Sequence, residues 1–263
     1  MFGFLIKKNF CDGWDNLLSV VLVNVIFLFV GIGVVFLNAI ANGVILFQVI
    51  AFILTFILLS IVAFAYGDSA ADIADFKGIR LVDFFKAIPG VLKDASLFGL
   101  MCSLIIMIST FSIRYYITET QSLVSFCIGM IILWLDVFFF MAIQWFIPIR
   151  ATMHNNFKKC LKKCFIIFFD NTGFSIAMTI YNLILIVLSV AFIGFLPSVT
   201  GWLIANCNAL RILLYKYDYL EEHPELQTKK ERKQIPWEEL IYEDRETLGP
   251  RKLKSFLFPW KED

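Results

Sequence analysis

Asp136 sits midway along an apolar run, Leu123 to Ile149, that carries no other charge. An acid at the centre of a membrane-length helix costs about 2.5–3.5 kcal/mol on insertion scales, so it needs a partner or a purpose. The residues whose types could supply one are Asn206 and Asn208 in the run 199–215, Asn24 in the run 17–37, and Arg211, one turn beyond Asn208. Together they could line a mid-depth polar cavity for a proton, a cation or a polar ligand. The same side chains could instead form an interhelical hydrogen-bond cluster that fixes packing, each bond worth about 0.6 kcal/mol. Gln144, two turns from Asp136, Trp145 and Asn182 are lesser candidates. Arg114 lies toward the outer end of its run and is expected to snorkel.

The elements that must position these residues follow from composition. The 263 residues are 59% hydrophobic and 17% charged, against roughly 45–50% and about 25% in soluble domains, which excludes a soluble globular chain. Six apolar runs stand out: 17–37, 43–66, 97–117, 123–149, 174–196 and 199–215, with only Arg114, Asp136 and Arg211 charged among their 133 residues. Lipid offers no partner to backbone polar groups, so such runs must be helical. The predicted fold is therefore an all-α polytopic membrane bundle of six transmembrane helices over residues 1–215. The last run, at 17 residues, is short enough to be a re-entrant or tilted helix instead. Residues 216–263 hold 22 of the 45 charges and read as a cytoplasmic tail.

Lys and Arg fall before the first run, in the connections 67–96 and 150–173, and after the sixth run, while the other connections have none. By the positive-inside rule both termini are cytoplasmic, in a multi-pass protein of the cell membrane, and the first run is expected to act as an uncleaved anchor. The alternation requires an even number of crossings, which favours counting the sixth.

Ile6-Lys7-Lys8, Phe10 and Trp14-Asp15-Asn16 align without gaps on Leu161-Lys162-Lys163, Phe165 and Phe169-Asp170-Asn171, and Phe85-Lys86 with Asp94 makes a weaker middle copy. The body thus reads as three parallel hairpin repeats, each preceded by a cytoplasmic amphipathic helix. In the third copy Lys158, Lys159, Lys162 and Lys163 oppose Phe157, Cys160, Cys164 and Phe168, a pattern suited to the inner membrane interface or to packing beneath the bundle. The acids Asp15, Asp94 and Asp170 are expected as N-terminal helix caps. Arg251, Lys252 and Lys254, followed by Trp260, suit docking at the inner membrane surface or on a partner.

Catalytic motifs are missing from the sequence: there is no nucleophile elbow, P-loop or two-histidine helix motif. Cys160 and Cys164 are one turn apart, but no second ligand pair accompanies them and the chain has two histidines. No catalytic residue, metal or cofactor is expected, and the tail's 10 basic residues, offset by 12 acidic ones, argue against nucleic acid.

With Trp14-Asp15-Asn16-Leu17, the Asn24-bearing first run, Asp83-Phe84-Phe85-Lys86 and six runs, residues 1–215 resemble the YesL-like bacterial membrane family, a domain of unknown function. The resemblance implies a non-enzymatic accessory or scaffold role beside a carbohydrate transporter, whose subunits, with the lipid bilayer, would be the partners. The long charged tail departs from the family pattern. A small transporter with a polar site around Asp136 and an intramembrane enzyme are the alternatives.

Overall fold

The computed structural model describes residues 1–120, 122–225 and 235–251. Among these residues the chain forms eleven α-helices and no strand: α1 Phe2–Asp15, α2 Leu17–Ile40, α3 Ile45–Ala74, α4 Leu81–Arg114, α5 Leu123–Ile143, α6 Phe146–Met153, α7 Phe157–Asp170, α8 Thr172–Ala191, α9 Ser198–Glu222, α10 Trp237–Leu240 and α11 Tyr242–Leu248. A π-helical turn, Tyr115–Glu119, extends α4.

Five of these helical segments are long and apolar enough to cross a membrane, namely α2, α3, α4 with its π-helical extension, α5 continued through α6, and α8. Their outward faces leave Phe29, Ile45, Phe111, Leu123 and Val187 exposed, far more contiguous apolar surface than water tolerates. The bundle is therefore membrane-embedded. The expected sixth crossing, 199–215, lies inside α9, which is not among the five. Instead α9 is the central helix, packed against α1, α2, α3, α6 and α8, with Leu203 to Leu210 buried throughout. Its polar side chains explain the shorter apolar run, because a helix enclosed by protein can meet them with partners that lipid cannot offer.

The α8–α9 hairpin is also short. Its tip meets α2 at Asn24, which donates to the carbonyls of Phe195 and Pro197, and at Leu28, against Gly194. Residues 29–40 of α2, about 18 Å of helix at 1.5 Å per residue, extend past that tip.

Helices α3 and α4 form the tightest pair. A Cβ added at Gly99 would stand 2.7 Å from the Phe56 carbonyl oxygen and from Ile57 Cα, so a residue without a side chain is what lets the two backbones meet. At the opposite end of the bundle from the α8–α9 tip, ionic contacts gather the remaining junctions: Arg211 with Asp75 after α3, Lys216 with Asp170 before α8, and Arg150 with Asp68.

Both α1 and α7 are 14 residues long and end in Asp followed by Asn. On α7, Lys158, Lys159 and Lys162 are exposed and Lys163 is half-buried, while Cys160, Cys164, Ile167 and Phe168 pack inward. Burial pushes both thiols up, away from the reactive thiolate. The recurring acids are not the caps expected of them. Asn16 and Asn171 hold the cap positions, Asp94 lies inside the continuous helix α4, and each acid faces a cation: Asp15 Arg251, Asp94 Arg150, Asp170 Lys216. A carboxylate at a helix start can satisfy an N–H or a cation, and here the cation wins.

Helix α9 runs to Glu222, past the expected boundary at 215. Within 235–251 the chain folds back on the bundle, burying Ile241, Asp244 and Leu248. The basic and aromatic residues Lys252, Lys254 and Trp260 lie outside the described residues.

Candidate functional site

The polar residues expected to share one cavity separate into four neighbourhoods. Asp136, on α5, accepts a hydrogen bond at 2.8 Å from the Ser109 hydroxyl on α4. Gly129 lets the π-helical turn lie against the same α5 helix, where a Cβ would meet Ile117 at 2.7 Å. The carboxylate is half-buried and lines a cleft of about 510 Å³ between α4, α5, α8 and α9. Gln144, Thr179 and Asn182 line the same cleft toward the α5–α6 junction.

Asn206 belongs to this neighbourhood through Asn182, whose Nδ2 donates to Asn206 Oδ1 at 3.0 Å and to Gln144 Oε1 at 3.2 Å. Gln144 sits where α5 gives way to α6, so its side chain can turn inward and donate to Thr179 Oγ1 and to the Ser175 carbonyl. Asn182 Oδ1 and Asn206 Nδ2, both buried, have no hydrogen-bond partner among the described residues. One acceptor and one donor thus lie unpaired and sealed from solvent behind a cleft that Asp136 borders.

Asn24 has a different task. Its Oδ1 accepts from the backbone N–H of Thr200 at 3.4 Å and from the Thr200 hydroxyl at 2.9 Å, so it closes the start of α9 from another helix. Ser198, the first residue of α9, has a left-handed backbone at φ 51°.

Asn208 and Arg211 point away from Asp136. Arg211 bridges Asp75 and Asp244, with N–O distances of 3.1 and 3.2 Å to the latter. Tyr215 also donates to Asp244. This clamp ties α11 to α3 and α9. Arg251, expected at the membrane surface, pairs with Asp15.

Asn208 leads to a cluster that sequence reasoning missed. Its Nδ2 donates to Asn9 Oδ1 at 2.8 Å and to Asp12 Oδ2 at 2.7 Å, and Asp12 also accepts from Lys8 Nζ at 2.9 Å. Lys8 is fully buried, its ammonium 3.7 Å from the centre of the Phe76 ring. Phe76 presents that ring from a left-handed backbone, φ 57°, an uncommon conformation for a bulky residue. Burial lowers the Lys8 pKa and raises that of Asp12, outweighing their mutual attraction. The signal was available: Leu5, Lys8, Asn9 and Asp12 follow i, i+3, i+4, i+7 and so share the face that α1 turns inward.

No family model, curated protein or solved structure matches this chain.

Proposed function

We propose that the chain is an accessory or scaffold component of a larger membrane assembly, docking through the face that bears Asp136. The observation that carries this reading is a half-buried carboxylate whose one hydrogen bond among the described residues comes from Ser109, in a cleft open at the side of a membrane-embedded bundle. Hydrocarbon solvates such a group poorly, and a partner helix bearing a donor or a cation would satisfy it. Most other polar groups at depth are already engaged: Asn24 in a cap, Asn208 and Arg211 in ionic clusters. The likeness to YesL-like proteins, which rests on residue pattern alone, adds that the assembly is a carbohydrate transporter. Three hairpins, with both termini on the cytoplasmic side of the cell membrane, complete the reading; α9 returns the chain to the end where α1 and the α3–α4 junction lie.

The test is a photo-reactive residue at Val137, beside Asp136, in cells. A covalent product with a transporter membrane subunit, lost in Asp136→Leu, is the expected result. Labelling of lipid alone, together with unchanged co-purification in Asp136→Leu, would remove the docking role. The unpaired buried atoms of Asn182 and Asn206, behind the cleft, favour the second reading, a small transporter whose ligand enters the Asp136 cleft. Under it, Asp136→Asn abolishes uptake by vesicles containing this protein alone.

A further inference from the structure

On the second reading, in which a ligand enters the Asp136 cleft, we infer that this ligand is a long-chain organic amine, its ammonium on Asp136 and its hydrocarbon body in the adjoining cavity at the α8–α9 tip. The tip cavity, about 580 Å³, shares Ile186 and Trp202 with the cleft. Of the residues that line the two, Thr179, Asn182, Leu183, Ile186, Ser189 and Val190 fall at i, i+3, i+4, i+7, i+10 and i+11. Both cavities therefore lie along one face of α8 and make a single furrow.

Charge decides what enters. Among the described residues Asp136 is the one charged side chain that lines either cavity. Its Oδ1 accepts from Ser109, whereas Oδ2 has no partner among the described residues and is not sealed from the surface. Gln144 and Thr179, which line the same cleft, engage each other and the Ser175 carbonyl, so recognition of charge falls to Asp136. A neutral guest would leave the carboxylate unmatched in a medium that solvates it poorly, and an anion would be repelled; an ammonium matches it. Phe140 and Trp202 also line the cleft, and aromatic rings add to the attraction for an alkylammonium.

The body of the ligand follows from the tip cavity. Leu28, Val190, Ile193 and Val199 line it, and apart from two serines and the Trp202 indole its side chains are apolar. One of those serines, Ser189, is engaged with the Leu185 carbonyl and the Ser198 N–H. From Thr179 to Val190 the furrow follows α8 for about 16 Å at 1.5 Å per residue. A helix of that length and about 10 Å diameter would need roughly 1,250 Å³, more than the two cavities hold together, so a helix docking over the furrow places side chains inside it at most. A hydrocarbon chain is narrow enough to enter. Leu183, Ile186, Val190 and Ile193 are exposed, so the furrow opens sideways to the bilayer, where an amphiphilic amine resides.

The experiment uses the full chain in phosphatidylcholine vesicles with dodecylamine that carries a diazirine in its chain, and adducts are mapped by mass spectrometry. Labelling at Ile186 and Ser189 is expected to exceed that at Val187, which is more exposed but lines neither cavity. Asp136→Asn keeps an acceptor for Ser109 and should lower that labelling about tenfold relative to Val187, the ratio for a hydrogen bond to a charged group. Dodecanol with the same diazirine should show no preference for the furrow. Equal labelling by the amine at Val187, or equal preference by the alcohol, would overturn the proposal. Should Asp136→Asn fail to fold, the wild-type chain supplies the same contrast: dodecylamine is expected to displace the probe at about tenfold lower concentration in the membrane than dodecanol, and equal potency would refute the Asp136 contact. Uptake of another solute that depends on Asp136, with no amine adduct in the furrow, would overturn the ligand class and leave the transporter reading standing. Adducts in the furrow without uptake would support the site and remove the transporter. In native membranes, a cross-link from Val137 to a transporter subunit that excess dodecylamine leaves unchanged would make the occupant a protein side chain and overturn the amine.

Discussion

Asn24 and Thr200, 176 residues apart, form a helix cap in two pieces: α2 supplies the acceptor and α9 the N–H and hydroxyl donors. The same amide donates to the Phe195 and Pro197 carbonyls, so one side chain satisfies both arms of the turn. Asn24→Leu leaves these buried groups unpaired and is expected to cost about 2–4 kcal/mol. Thr200→Val keeps the backbone donor and should cost about 1 kcal/mol. Reversible unfolding in mixed micelles measures both. A loss below about 0.5 kcal/mol for Asn24→Leu, within the range of an ordinary surface substitution, would show that the turn holds without it.

The bundle was legible because lipid imposes a simple rule: each long, nearly uncharged run must become a helix, and the runs 17–37, 43–66, 97–117, 123–149 and 174–196 each fall mostly on helix, with 43–44, 144–145 and 192–196 in turns. What the rule cannot supply is which helix is enclosed. Residues 199–215 read as a weak crossing because Asn206, Asn208 and Arg211 are costly in lipid, but α9 is surrounded by protein, where those groups have partners. Partner choice was illegible for a related reason. Asp136 could be singled out by its isolation, yet Ser109 is one of many hydroxyls and only the α4–α5 crossing brings it within reach. In the sequence Lys8 counts only toward the positive charge before the first run, because sequence alone does not say how α1 rolls; the structure buries Lys8 and leaves Lys7 exposed.

The α3–α4 contact makes a contrast within one helix. Gly99→Ala places a methyl 2.7 Å from backbone atoms of residues 56 and 57, which cannot rotate away, and should cost about 1–3 kcal/mol by forcing the helices apart. Gly90→Ala, in the same helix with nothing within 4 Å, should instead be neutral or stabilising by up to about 1 kcal/mol. Thermal unfolding in one detergent compares them directly. Equal effects would mean that helix propensity, not the close approach, governs both sites.

Asp170 provides a pH-dependent tie between the end of α7 and α9. Burial alone would raise its carboxyl, but hydrogen bonds from Tyr217, Lys216 and Asn171 outweigh it and hold the pKa below the usual range. A depressed carboxylate stabilises the fold above its unfolded pKa of about 3.9 and loses that contribution as pH falls through the folded value. The Tm gap between the wild-type chain and Asp170→Asn should therefore be constant from pH 7 to about 5 and shrink below about pH 4. A gap that persists unchanged to pH 2 would show that the neutral carboxyl holds Tyr217 and Lys216 equally well.

The Lys8–Asp12 pair sets desolvation against attraction. Both side chains are withdrawn from solvent, 0% and 7% exposed, and each pKa moves toward the neutral form. Lys8→Met leaves a buried carboxylate that still accepts from Asn208, and Asp12→Leu leaves an ammonium with the Phe76 ring and the attraction of Asp244. Each single change should cost about 3–5 kcal/mol, because removing one member strands the other. The double variant should recover most of that loss, since Asn208 still has Asn9 as acceptor and apolar side chains of similar volume avoid the desolvation cost. A double-mutant cycle on unfolding free energies separates the possibilities. Additive losses would mean that the two charges do not depend on each other and that the cluster is held together by Asn208 instead.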